Sequence, residues 1–215
     1  MTYIPEHFEQ QDRAEIEAFL VSNPFGTVVV NLNGELWPTP MPLIWRPAED
    51  GWGTFIAHVA LNNDMWQADA DDDVLVIAQG PNAYITPNWY PTKADTHEVV
   101  PTWNYVSVHA WGKMTVRHDS KFKRMAVGLL TKIHEASNDQ PWRMSDAPQK
   151  FLENQLEHIV GIEIAIDRVK AKWKMSQNRT EMDRSGVIAG LAERATGDDA
   201  FVRNLIAVEQ KGSEV

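Results

Sequence analysis

The sequence predicts a mostly β chain, an antiparallel sheet curled into a barrel with flanking helices. Strand-like runs rich in Val, Ile, Thr and aromatic residues follow one another closely through the first half of the chain. Hairpin-type turns join them, Asn33-Gly34 being the strongest. That close spacing leaves no room for the crossover helices of a βαβ fold.

Taken in order, "QDRAEIEAFLVSNP" reads as a short helix. Asp12 and Glu15 have capping-box spacing, Ile16, Phe19 and Leu20 share a face, and Asn23-Pro24 ends it. "GTVVVNLNGELWPTPMPLIW" is a hairpin whose returning arm carries Pro38, Pro40 and Pro42. Prolines at alternate positions remove amide donors from one side only, which marks an edge strand or one whose bare side meets something other than a ladder. "GWGTFIAHV" is the next strand, and "ALNNDMWQADADDD" a polar turn and short helix. "VLVIAQG" and "NAYITPNWY" read as two strands separated by a Gly80-Pro81 turn, followed by "VPTWNYVSVHAWGKMTV".

The first helix after the sheet, in "DSKFKRMAVGLLTKIHEASN", places Phe122, Met125, Ala126, Leu129, Leu130 and Ile133 on one face. A second runs through "APQKFLENQLEH", with Ser145 as cap and Pro148 in its first turn. "IVGIEIAI" is a buried strand. The tail from Thr180 is helical, with Thr180 and Asp183 at capping-box spacing and Gly197 dividing it. The expected organisation is one domain over 1–215 with a helical extension from about 180 to 215.

Composition narrows the function. The chain has 215 residues, no cysteine and a formal net charge of -10. There is therefore no disulfide framework and no thiol nucleophile, in keeping with a reducing cytoplasm. Neither a signal peptide nor a membrane span is expected. The acidic balance opposes broad phosphate-backbone binding. The seven histidines form no HxxxH or HxH pair, so no metal site is expected, and neither a nucleophile elbow nor a phosphate loop is present.

Against that background, "RVKAKWKMSQNR" stands out. Val169, Ala171, Trp173 and Met175 alternate with Lys170, Lys172 and Lys174, giving a strand one apolar and one cationic face. A solvated edge explains Lys170 and Lys172 as well as any ligand does. Lys174, Ser176, Gln177, Asn178 and Arg179 offer more, a cation followed by paired donors and acceptors, which suits a phosphorylated ring such as a flavin. In "FIAHVALNNDMW", His58, Asn62 and Asn63 precede a short helix, where they serve either as a cap or as anion ligands. Tyr84, Trp89, Tyr90, Trp103 and Tyr105 crowd one interval and suit a ring-binding wall, an interface or a core.

These segments, with "YIPEHF", "GPNAYITPNWY", "VPTWNYVSVHAWG", "IVGIEI" and "KWKMSQNR", stand in the order and spacing of the PaiB family, which the chain resembles from Tyr3 to about Leu191. Members are described as FMN-binding negative transcriptional regulators. The resemblance implies an FMN-binding split β-barrel like that of the pyridoxamine-phosphate oxidases, and a homodimer holding FMN between subunits. It places His58, Asn62 and Asn63 by the flavin phosphate, with Trp66 closing that loop. Tyr84, Thr86, Trp89, Tyr90, Trp103 and Tyr105 would line the groove, and Lys174, Ser176, Gln177, Asn178 and Arg179 would complete it. Two positions depart from the pattern: Asp64 stands where proline is usual, and Met175 where leucine is. The family label implies a repressor that acts on DNA or through a regulatory protein. The alternative is an FMN-dependent oxidoreductase using NAD(P)H, for which no general acid or base stands out.

Overall fold

The Asp12 carboxylate opens the first helix by accepting from the amides of Ala14 and Glu15 at 2.8 and 3.3 Å. The computed structural model describes residues 2–212, in which β1 (Glu9–Gln10) precedes α1 (Arg13–Ser22). β2 (Phe25–Leu32) and β3 (Glu35–Pro42) then form the expected hairpin, with Asn33 and Gly34 at φ 56° and 87° as the tight turn requires. Pro38, Pro40 and Pro42 pair with Val29, Thr27 and Phe25. Their bare side meets no further strand, because β3 ends the sheet.

β4 (Ile44–Arg46), β5 (Thr54–Ala60), β6 (Asp73–Ile85), β7 (Thr102–Arg117) and β8 (Ile159–Lys174) complete an eight-stranded sheet. Its order is β3-β2-β6-β7-β8-β5-β4, with β1 added beside β8. The path is open, and the fold is an antiparallel split barrel with helices. The Gly80-Pro81 turn is a correction: β6 runs straight through both residues. Gly80 keeps a negative or extended φ, so the pair does not turn the chain.

α2 (Lys93–Thr96) is a single turn between β6 and β7. α3 (Ser120–Glu135) is capped by Asp119, which accepts from the Phe122 amide at 2.8 Å. Phe122, Ala126 and Leu130 pack on Ile44 and Ile56, with Met125 and Leu129 at the margin. Ile133, expected on that face, is exposed. A Cβ at Gly161 would stand 2.5 Å from the Phe122 ring, so the glycine in "IVGIEI" is the seat of that side chain. α4 (Gln149–Glu157) starts two residues after Ala147, the start that the sequence predicts. Pro148 is its N-cap, while Ser145 lies in a separate 3-10 turn. α5 (Glu181–Arg194) and α6 (Asp199–Gly212) divide at Gly197, which has φ 51°.

The chain forms two compact units, each assembled from separated segments. One comprises 1–16, 79–108 and 170–215, the other 17–78 and 109–169. The second contains the β2–β3 hairpin, α3 and α4. The first contains α5, α6 and the ends of the three long strands.

Candidate functional site

The first unit holds most of the expected residues. Along the end of β8, Ala171, Trp173 and Met175 are buried, which turns Lys170, Lys172 and Lys174 to the other face. Each lysine meets a different fate. Lys170 pairs with Glu9, which β1 brings alongside. The Lys172 ammonium sits among the rings of Tyr105, Tyr3 and Phe8, at 5.3, 5.7 and 6.0 Å from their centres. Lys174 donates to the Thr102 hydroxyl. Burial lowers the Lys174 pKa from its usual value, and the charges of Lys172 and Arg179 lower it further. Three cations therefore converge here, those of Lys172, Lys174 and Arg179.

The turn that follows is built by its own polar groups. Ser176 takes φ 64°, its hydroxyl accepts from Asn104 at 2.9 Å, and its carbonyl accepts from the Arg179 amide at 2.9 Å. Gln177 donates to the Trp173 carbonyl at 2.6 Å and accepts from the Met175 amide at 2.7 Å. Gln177 thus spends its groups on the turn and Ser176 its hydroxyl on Asn104 of β7, while Asn178 is exposed. The Arg179 guanidinium lies 4.7 Å from the centre of the Tyr90 ring. Tyr90 is buried and its hydroxyl has no hydrogen-bond partner among the described residues. Burial raises its pKa, and the Arg179 charge opposes that shift.

Tyr84 and Trp103 meet edge to face, ring centres 6.0 Å apart, and both are exposed. Beside them a cavity of about 450 Å³ is lined by Gln79, Gly80, Asn82, Trp103, Tyr105 and Val106. Thr86 caps the short turn Pro87–Trp89 by accepting from the Asn88 amide at 3.3 Å. Trp89 is committed to α5. A Cβ at Gly190 would fall 2.2 Å from its indole, and one at Gly186 would fall 2.0 Å from its carbonyl oxygen. Arg194, one turn further on, covers the ring at 4.9 Å. Asp183 turns its carboxylate away from the expected capping box. It accepts from the Thr92 amide at 3.2 Å and from the Thr92 hydroxyl at 2.8 and 2.9 Å. Sequence reasoning missed Tyr3, Phe8, Thr102, Asn104 and Arg194. Only the Gly186–Gly190 spacing offered a signal, as a helix face cleared for close approach.

The second unit holds the remainder. His58 lies on β5 opposite Gly161. Its Nδ1 is buried without a partner, and burial lowers its pKa, favouring the neutral ring. Asn63 caps the short turn Asp64–Gln67 by accepting from the Met65 amide at 3.1 Å. Asn62 is exposed. Trp66 lies in the same short turn. Its indole donates to the Leu61 carbonyl at 3.0 Å, and its ring meets His118 edge to face at 5.3 Å.

Residues 2–168 match the family model described as "Putative FMN-binding domain". The chain is also 37% identical over 190 residues to the "Protease synthase and sporulation protein PAI 2" of Bacillus subtilis (strain 168), covering 88% of each. The chain belongs to the PaiB family of FMN-binding proteins. The "Uncharacterized protein AN0679" of Emericella nidulans is 32% identical over 227 residues, covering 89% of this chain and 90% of that one. Among solved structures, the Flavocytochrome Anf3 from Azotobacter vinelandii superposes with a TM-score of 0.59 at 16% identity, covering 86% of this chain and 78% of its own. A FAD and heme binding protein from Mycobacterium smegmatis reaches 0.56 at 16%, covering 77% and 73%. Both likenesses show the split-barrel fold.

The PaiB cofactor is FMN, and the residues of the first unit fit its chemistry. A phosphate dianion matches the charges of Lys172, Lys174 and Arg179, the first and last of which lie close enough to lower the Lys174 pKa, and the exposed Tyr84 and Trp103 match an aromatic plate. The "KWKMSQNR" cluster lies beyond the stretch that the family model matches. Among the described residues no helix is long and apolar enough to cross a membrane, and no group of three or more His, Cys, Asp or Glu could hold a metal.

Proposed function

We propose that this PaiB member is a cytoplasmic FMN-binding homodimer that acts in negative control of transcription, with flavin occupancy or redox state as its input. The observation that carries the regulatory reading is the identity to the Bacillus subtilis PAI 2 protein across 88% of both chains. Bound FMN supplies electron-transfer chemistry. Lys174 and Arg179 hold its phosphate with charge-assisted contacts. Tyr84, Trp103 and Tyr105 face its ring, and Thr86, Trp89 and Tyr90 form the wall behind them. Ser176, Gln177 and Asn178 set the turn that aims the two cations. His58, Asn62, Asn63 and Trp66 belong to the proposal on the family resemblance alone. Support for a dimer comes from the β2–β3 hairpin, where Phe25, Leu36 and Trp37 are exposed apolar groups on the sheet's terminal hairpin.

The net charge of -10 opposes a large operator footprint, so control runs through a protein partner or through a small local contact. An electrophoretic shift assay at moderate salt, on DNA from upstream of the gene, separates the two. Protein action predicts no shift with or without FMN, whereas a specific shift contradicts it and establishes direct repression. Steady NADH oxidation by the flavin-loaded protein would move the reading to an oxidoreductase.

A further inference from the structure

β2 follows β6 only as far as Ala78. Beyond it, residues 79–85 of β6 present edge groups on the side where β2 has ended. Residues 82 and 84 point their amides and carbonyls to the same side, and an unfilled edge there would cost hydrogen bonds. The turn between α5 and α6 fills it. The Asn82 amide donates to the Asp198 carboxylate at 3.1 Å, and Arg194 donates to the Tyr84 carbonyl at 2.9 Å. Two side chains thus take the place of a strand. Arg194 is held for this by Asp199, which is almost wholly buried and receives its Nε at 2.8 Å and its Nη2. The residues gripped in this way are those of the cavity wall: Asn82 lines it, and Tyr84 packs on Trp103, which lines it too.

We infer that Arg194 and Asp198 are positioning residues for ring binding. By gripping the backbone at 82 and 84, they fix the Tyr84–Trp103 pair in the attitude in which it receives a flat aromatic ligand. This rests on the proposed flavin site and adds the C-terminal helix pair to it. The device lies wholly outside residues 2–168 on one side of each contact, so the matched family stretch alone lacks it.

The test uses the full chain and two probes, FMN and riboflavin, the latter lacking the phosphate. Dissociation constants come from flavin fluorescence, and the attitude of the bound ring from its visible circular dichroism. Arg194→Ala and Asp198→Ala are expected to weaken both probes by the same five- to tenfold factor and to change the dichroism. Asp198→Asn keeps an oxygen acceptor for the Asn82 amide and is expected to restore both readouts. Asp198→Ala leaves the buried Arg194–Asp199 pair intact, so it separates positioning from folding. If both alanine variants, folded at the assay temperature, bind riboflavin with wild-type affinity and wild-type dichroism, the inference fails. If the wild-type chain binds neither probe, the proposed flavin site itself fails.

Discussion

Gly190→Ala is expected to destabilise the protein by about 1–2 kcal/mol, although it replaces a helical glycine with the best helix former. Helix propensity alone predicts a gain of about 1 kcal/mol. Packing reverses the sign. The new methyl would lie 2.2–2.5 Å from three atoms of the Trp89 indole, which α5 and Arg194 already confine. Overpacking of this kind costs about 1–3 kcal/mol and sometimes more. For a chain of this size the net loss lowers Tm by roughly 2–8 °C in a thermal melt. Trp89→Ala alone leaves a cavity and costs about 3–5 kcal/mol. The double variant removes the clash together with the ring, so its loss falls short of the sum by about 1–3 kcal/mol. An additive double variant, or a stabilised Gly190→Ala, contradicts the seating of Trp89 on this helix.

Asp199→Asn is expected to cost about 2–3 kcal/mol near neutral pH, because it leaves Arg194 partly buried without its anion. The carboxylate accepts from Arg194 Nε at 2.8 Å, from Arg194 Nη2, and from the Thr196 amide at 2.9 Å. The Arg194 guanidinium is the main reason that Asp199 is held at about 2, below the usual 3.8, against the opposing effect of burial. A folded-state pKa below the unfolded value contributes stability that is fully present above pH 4 and is lost as pH falls from 4 toward 2. Urea unfolding at pH 7, 4 and 3 reads this directly. The gap between wild type and Asp199→Asn is expected to stay open down to pH 4 and to narrow below it. A gap that is constant from pH 7 to pH 3 would show that the pair contributes nothing electrostatic.

The parts legible in the sequence are those set by local chemistry. Asn33-Gly34, the Asp12 cap, the alternation through Lys174 and the break at Gly197 each follow from backbone preference or side-chain period, and the structure contains them all. Gly80-Pro81 misled because a turn signal is only a preference, and the neighbouring strands keep that stretch extended. Ser176 could not be read as a positive-φ residue, since nothing local requires it. Asn104, 72 positions away, satisfies its hydroxyl. The three lysines look equivalent in sequence, yet β1 and the N-terminal aromatics separate them into an ion pair, a caged cation and a cation beside Arg179. Such distinctions arise from long-range contacts, which periodicity does not carry. The same holds for Arg194, whose partners span 84 to 199.

The phosphate-binding role proposed for Lys174 and Arg179 is tested most directly by titrating FMN and riboflavin against wild type, Lys174→Ala and Arg179→Ala. Each charge-assisted contact is worth about 1.5–3 kcal/mol, so each variant should weaken FMN by roughly one to two orders of magnitude while changing riboflavin little. Equal FMN affinity in all three proteins would contradict it, and so would losses of the same size for both flavins.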